Sequence, residues 1–404
     1  MVWQSLVILA VVTERRDLER LLESDAKTAL RLLPYLLVGL FAVLTLLGVV
    51  LLRPTGEVRP NLAEIGINPQ TIAATVVERV DAVCEGLGPD SDVVCVDVVY
   101  ELAQGPDAGS TISQQFVVHD SNPTFKVGDD VILDYQPGAP EGFQYSFLDR
   151  QRRPVLYILG ILFAAIVIAL GRLRGVAALA GLAASVAVLL QFVIPAILDG
   201  RSPMLVAVVG SSLIAYVALY VAHGFTRMTT VALLGTLAAL GLTGILSWLV
   251  VGAARFSGFA TEEAFILSFA GTIDISGLVL AGIVLGAVGA IDDVTVTQAS
   301  AVFEVHRVRP DLGRRDLVAS GLRVGRDHVA STVNTLLLAY AGAAMPLLLF
   351  FVLADQSIGT VLNSELMAIE VVRTLVGSIG LVSAVPLTTW LATVMVTEDH
   401  AEGA

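Results

Sequence analysis

The sequence predicts an α-helical polytopic membrane protein of about eight transmembrane helices, with a small extracytoplasmic OB-like β-barrel inserted between helices 1 and 2. Three observations predict it. Of the 404 residues, 55% are hydrophobic and only 15% charged, and the mean hydropathy is +0.80, too apolar for a soluble globular chain. Uninterrupted apolar runs recur at the length that spans a hydrocarbon core about 30 Å thick, roughly 20 helical residues. One stretch of about a hundred residues breaks this pattern and reads as short strands.

The runs lie at 34–52, 155–171, 176–198, 204–221, 231–251, 275–291, 329–354 and 368–396. The chain thus divides into a segment 1–33, a first helix 34–52, a β-rich domain 53–153, a seven-helix domain 154–396 and a tail 397–404. The run 2–12 is too short to span, lacks a basic start and precedes no small-residue cleavage site. It is therefore not a signal peptide, and reads as an interfacial helix.

Orientation follows the arginines, because positive charge near short loops stays in the cytoplasm. Arg15, Arg16, Arg20, Lys27 and Arg31 precede the first span; Arg172 and Arg174 lie between spans two and three, and Arg227 between four and five. Arg307, Arg309, Arg314, Arg315, Arg323 and Arg326 lie between six and seven. With eight spans all of these fall on one side, which places the chain in the cell membrane with both termini cytoplasmic. Arg150, Arg152 and Arg153 oppose the rule, but they border a long translocated region that escapes it.

In 53–153, runs at 72–80, 93–102, 111–118, 131–135 and 143–147 rich in Val, Ile, Thr and aromatics alternate with Gly-, Pro- and Asp-rich turn material. Five short strands suggest an OB-like barrel, and Phe125-Lys126-Val127-Gly128-Asp129 reads as a turn into a strand. Cys84 and Cys95, the two cysteines of the chain, bracket one such turn and are expected to form a disulfide outside the cytoplasm. The formal charge of −13 is largely local to this domain, and nothing in it points to nucleic acid. Its expected contacts are membrane lipids around the helices and an envelope protein recruited through 53–153.

The chemistry concentrates near the sixth to eighth runs. Two adjacent acids, Asp292 and Asp293, follow the sixth. Asp293, Thr297, Ser300 and Glu304 are spaced by four, three and four residues, one face of a helix. That segment reads either as an interfacial or re-entrant helix or as a cytoplasmic amphipathic one. Asp327, Ser331 and Asn334 repeat the spacing on span seven, as an interhelical clamp or a pathway lining. In span eight Glu370 and Arg373 stand at i, i+3, so Arg373 is expected to be neutralised by Glu370 or by an aspartate of the Asp292 group. Pro386 reads as a kink. Gly282 and Gly286 form a G-x-x-x-G pair continued by Gly289, and Gly377 and Gly380 sit near Ser378 and Ser383; small residues at these spacings let helices approach. Such packing would bring the charged ends together at one site.

The segments Gly286-Ala287-Val288-Gly289-Ala290-Ile291-Asp292-Asp293, Ser320-Gly321-Leu322-Arg323-Val324-Gly325-Arg326-Asp327, Asn334 to Gly342 and Glu370 to Leu381 resemble the YibE/F-like membrane proteins. The resemblance extends over the eight-span arrangement and its insert. It implies the family and no particular mechanism.

Taken on its residues, the chain is expected to be a transporter or permease in which Asp293, Asp327 and Glu370 carry a cation or protons, with Ser331 and Asn334 as neutral ligands and Arg373 as counter-ion. Carboxylates suit a hard cation or a proton, and the absence of a His/Cys/Met cluster argues against soft metals. No resident cofactor is evident, and no phosphate-binding P-loop pattern occurs. Two other classes stand beside it: an envelope scaffold working through 53–153, and an intramembrane aspartate hydrolase using Asp292 and Asp327, whose second acid lacks a preceding glycine because Arg326 occupies that place.

Overall fold

The structure, a computed structural model, describes residues 32–56, 70–84, 94–118, 124–140, 142–269 and 273–397. The chain divides into two compact units, Asn61–Val167 on one side and Met1–Pro60 with Ile168–Ala404 on the other. The expectations for 2–12, for the basic residues from Arg15 to Arg31 and for the end of the tail lie outside the described residues.

The first unit holds a curled antiparallel sheet of five strands, β1 (Gln70–Val83), β2 (Val94–Leu102), β3 (Thr111–Val117), β4 (Asp130–Tyr135) and β5 (Tyr145–Arg150), in the order β3-β2-β1-β4-β5. Period-2 alternation builds its core. Ile72, Ala74 and Val76 of β1, Val96, Val98 and Tyr100 of β2 and Val131 and Leu133 of β4 point to one side, with Phe125 among them. Phe125 enters from a turn in which Gly128 takes φ +91° and the Asp129 carboxylate accepts the Lys126 N–H at 2.9 Å. The Phe125 ring meets Tyr100, Phe116 and Phe147.

Among the described residues the backbone ladder stays open between β3 and β5, so the sheet is a half-barrel rather than the closed barrel expected. Gln114 of β3 spans the gap. Its Nε2 donates to the Tyr145 carbonyl at 2.5 Å and its Oε1 accepts the Phe147 N–H at 3.1 Å. Cys84 and Cys95 are bonded, S–S 2.06 Å, and tie the end of β1 to β2, where Cys95 pairs in register with Ala82.

The rest is helical. Seven helices among the described residues are long and apolar enough to cross a membrane: α1 (Leu32–Leu51), α2 (Arg153–Gly171), Leu173–Leu198, α5 (Pro203–His223), α6 (Arg227–Ala254), α8 (Ile275–Val308) and α12 (Glu365–Thr397). The third comprises α3 (Leu173–Val188), one π turn (Leu189–Val193) and α4 (Ile194–Leu198). Its wide turn stands directly before Pro195, which has no N–H to give the ladder. A short α7 (Glu262–Ser268) precedes α8. An eighth crossing arises if α9 (Arg314–Ala343) and α10 (Met345–Leu353), bent by 61°, count as one span. The bend falls where Pro346 enters the first turn of α10. The short α11 (Ile358–Asn363) leads into α12.

Two expectations are corrected here. Residues 293–304 are not a separate interfacial or re-entrant helix, because α8 continues without a break to Val308; charge alone does not end a helix that has no Gly or Pro stop. Its 34 residues make it about 51 Å long. Span seven begins at Arg314, well before 329. The break after α9 lies at Pro346, while Pro386 stands inside the continuous α12, which carries no break there.

Two carboxylates fasten loops at one end of the helical unit. Asp199 Oδ2 accepts the N–H of Thr55 and of Gly56, the latter at 2.8 Å, holding the chain that leaves α1. The Gly56 N–H first, then Thr55, keeps this carboxyl below the usual range. Glu365 accepts the Ser257 hydroxyl at 2.9 Å and the Gly258 N–H at 2.6 Å, fastening the loop after α6 to the start of α12.

Candidate functional site

α8 is the hub, packed against α5, α6, α9 and α12. Its inward face carries Ile291, Val294, Thr295, Gln298, Ala299 and Val302, all buried. The expected stripe of Asp293, Thr297, Ser300 and Glu304 does share one face, but that face is exposed. Val294 and Val302 take the buried side. Adjacent acids on a helix diverge by about 100°, and the pair separates accordingly. Asp293 points outward; Asp292 is half-buried, and its Oδ1 is shielded from solvent without a hydrogen-bond partner.

Asp327, Ser331 and Asn334 share a face of α9, and it too is exposed. α9 turns Leu317, Gly321 and Gly325 inward instead. The spacing identified a face correctly but not its direction. These residues therefore do not line a common interior route with α8 and α12.

Arg373 resolves to Glu370, at 2.7 Å, with about a quarter of each side chain exposed. The guanidinium lies over Gly282, where a methyl group would meet Nη2 at 3.5 Å, and the Tyr340 hydroxyl lies over Gly286 at 3.1 Å from the same position. The G-x-x-x-G pair thus makes room for two polar tips from α12 and α9. Gly289 has open space beside it. Gly282 precedes Asp293 by eleven residues on one helix, about 16 Å along the axis. Hence the arginine and the aspartates occupy two levels, not the single meeting point expected.

The basic stretch is partly self-neutralised. Arg307 pairs with Glu304 at 2.5 Å and Arg309 with Asp311 at 2.7 Å, and the Arg309 guanidinium holds the Asp311 carboxyl down to about 2. Arg314, Arg315, Arg323 and Arg326 are exposed.

What joins α8, α9 and α12 is a residue that lies off the Asp293–Glu304 stripe. Gln298 Nε2 donates to the Gly321 carbonyl of α9 at 2.9 Å and to Thr389 Oγ1 of α12 at 2.7 Å. Thr389 passes its own proton to the Val385 carbonyl at 2.7 Å. Both α9 glycines are required for this approach: a methyl at Gly325 would stand 2.7 Å from Gln298 Oε1 and press on Val385, and one at Gly321 would meet Thr389 Cγ2 at 2.8 Å and Val302 Cγ2 at 2.9 Å. An amide on an otherwise apolar helix face, opposite glycines four apart on the next helix, was the available sign.

Around this clamp runs a buried polar seam between α6, α8 and α12. Thr236 and Thr295 hydroxyls meet at 2.7 Å, Thr388 lies against Gly235, and Thr243 lies against Gly380. Helix carbonyls absorb many of these protons, such as Thr243 to Ala239 at 2.8 Å and Ser247 to Thr243 at 2.7 Å. Ser378 Oγ, Thr388 Oγ1 and Thr393 Oγ1 are buried with no hydrogen-bond partner. An apolar layer of Leu240, Val288, Ile291, Leu381 and Ala384 divides the seam. Thr243, Thr374 and Ser378 lie toward Arg373, and Asp292, Thr295, Gln298, Thr388 and Thr393 lie toward the far ends of α8 and α12. Among the described residues no group of three or more His, Cys, Asp or Glu is arranged to hold a metal ion.

Searches of curated proteins and of solved structures return no match. A family model described as YibE/F-like protein matches residues 159–398, from α2 through α12. That match covers the whole helical array from α3 onward and more than half of the chain, which therefore belongs to the YibE/F-like family.

Proposed function

We propose that this chain is a multi-pass membrane permease for protons or a small hard cation, and that its route is the divided polar seam between α6, α8 and α12. The observation that carries the reading is the set of buried, unpartnered polar atoms on both sides of one apolar layer: Ser378 Oγ toward Arg373, and Asp292 Oδ1, Thr388 Oγ1 and Thr393 Oγ1 beyond it. Leaving such atoms dry costs about 1–3 kcal/mol each, so water, a proton or a cation satisfies them in the working protein. Asp292 supplies the carboxyl, and the Glu370–Arg373 pair forms the charged mouth at the opposite level. The apolar layer of Leu240, Ile291 and Leu381 is the closed gate, since a dry constriction stops ions without any charged barrier.

The arginine distribution supports cytoplasmic exposure of the α8–α9 connection and both termini. The strand order, with Gln114 standing in for the missing β3–β5 ladder, supports an OB-like extracytoplasmic module. The recruitment of an envelope protein by that module is a second reading, favoured by the exposed apolar Val83, Val94 and Val118 around the disulfide end and by Phe143.

The test is flux in proteoliposomes loaded with a pH-sensitive dye under imposed proton, sodium, potassium or magnesium gradients. Wild type and Asp293→Asn conduct, Asp292→Asn does not, and Leu381→Ser leaks. Wild-type vesicles that move none of these ions, or an undiminished flux in Asp292→Asn, would falsify the proposal.

A further inference from the structure

The outward polar faces of α8 and α9 are unexplained by a route through the interior. On α8, Gly282, Gly286, Gly289, Asp293, Thr297 and Ser300 recur at intervals of four, three, four, four and three, a strip about 27 Å long of small and polar residues around one aspartate, exposed from Gly286 onward. On α9, Asp327, Ser331 and Asn334 are exposed on one face, flanked by exposed Arg323 and Arg326. Asn334 falls within the hydrocarbon core, where acyl chains cannot satisfy its amide, while Asp293, Arg323 and Arg326 stand at the core's boundary, free to pair across an interface. Asp293, Arg323, Arg326 and Asp327 take part in none of the ion pairs formed among the described residues.

We infer that a second copy of this chain covers these faces, with α9 of each protomer laid along the glycine–aspartate strip of α8 of the other. Complementarity within one chain argues for a copy rather than a different protein. The strip on α8 carries the unpaired acid Asp293, and the face of α9 carries two unpaired arginines, Arg323 and Arg326, against one acid, Asp327, a net positive charge. A two-fold axis along the membrane normal satisfies both at once, since residue i meets j while j meets i.

The depths agree. Gly325 packs on Gln298, so Arg326 stands within about 8 Å along the axis of Asp293, inside the reach of an arginine side chain. Tyr340 packs over Gly286; Asn334, between these two contacts, falls at the level of Gly289, whose open flank receives it. Interhelical amide bonds against a small-residue groove are a recurrent mode of association in lipid.

The inference rests on bilayer insertion and not on transport, so its test reads association alone. Two differently labelled populations are mixed in large unilamellar vesicles at rising dilution in lipid and followed by energy transfer. Wild type gives a saturable dimer. Asp293→Arg and Arg326→Asp each weaken it by tenfold or more, because each reversal sets two like charges against one another. The doubly substituted Asp293→Arg/Arg326→Asp chain recovers to within about threefold of wild type. Asn334→Leu, which suits lipid and so does not threaten insertion, also weakens the dimer, whereas Asp292→Asn leaves it unchanged. A monomeric wild type, or no recovery in the double variant, overturns the inference. Loss of flux with association intact bears only on the permease reading.

Discussion

Replacing Gln298 by methionine removes the amide that joins three helices while keeping an unbranched side chain of similar length and equal helix propensity. The loss is that of two interhelical hydrogen bonds, to the Gly321 carbonyl and to Thr389 Oγ1. Such bonds in a membrane protein average about 0.6 kcal/mol and reach about 1.7. Neither partner is stranded: Gly321 lies within α9, where its carbonyl keeps its ladder donor, and the Thr389 hydroxyl keeps Val385. No orphan penalty is added, and the expected destabilisation is therefore about 1–2 kcal/mol. Thr389→Val removes one of the two bonds at constant shape, and the double variant closes a cycle whose coupling energy should fall at about 0.6–1.7 kcal/mol. Reversible unfolding in mixed micelles titrated with dodecyl sulfate supplies all four stabilities. Coupling below about 0.3 kcal/mol, the scatter of independent sites, would mean that packing alone holds α9 to α8 and α12, and the reasoning from the clamp would be wrong.

Glycines give an internal contrast: Gly325→Ala, forced against Gln298 and Val385, should cost about 1–3 kcal/mol, while Gly241→Ala, inside α6 with nothing within 4 Å, should raise thermal stability by about 0.5–1 kcal/mol. Glu370→Gln leaves the Arg373 guanidinium unpaired, with its Nε already buried and without a partner, so the melting temperature should drop more than for Asp311→Asn, and Glu370→Leu/Arg373→Met should recover much of it. For Asp199, the folded carboxyl titrates below its unfolded value, so the tether to Thr55 and Gly56 is complete above the ordinary aspartate range near about 4 and is lost as pH falls through the depressed folded value. The Gly56 amide resonance should accordingly stay fixed from neutral pH down to about 5 and move only in stronger acid; movement near neutrality would contradict this.

The apolar runs and the strands were legible because each rests on a period the chain must obey. All five strands fall within a few residues of the alternating runs, since a half-buried strand shows its face residue by residue. Direction was not legible. Asp293-Thr297-Ser300 and Asp327-Ser331-Asn334 each share a face, yet a helical wheel has no arrow pointing to the protein centre. Polarity would usually supply that arrow in lipid, and here it points outward, which is why a second copy enters the argument. The length of α8 was hidden for a different reason, because hydropathy marks where a helix leaves the apolar zone and not where it stops. Gln298 escaped notice because one amide barely changes the apolar average of its face, although its effect on packing reaches two other helices.

Depth then orders these features along α8. From Ile275 the Arg373 contact at Gly282 lies about 10 Å in, the apolar layer at Val288 to Ile291 about 20–24 Å, and Asp292 to Gln298 about 26–35 Å. A hydrocarbon core of about 30 Å places the charged pair within one half and the clamp at the far boundary. Asp292 lies less than one helical turn beyond the apolar layer, whereas Arg373 stands more than one turn before it. On the proposed route, a cation released from Asp292 toward the cytoplasm would therefore leave through a hydroxyl-lined exit, while entry would require the Leu240–Ile291–Leu381 contact to part. Widening that contact should raise flux without altering Asp292 dependence, and neutralising Asp292 should abolish flux even through the widened gate. That order of effects follows from geometry along a single helix, and a wall of lipid-facing residues could not produce it.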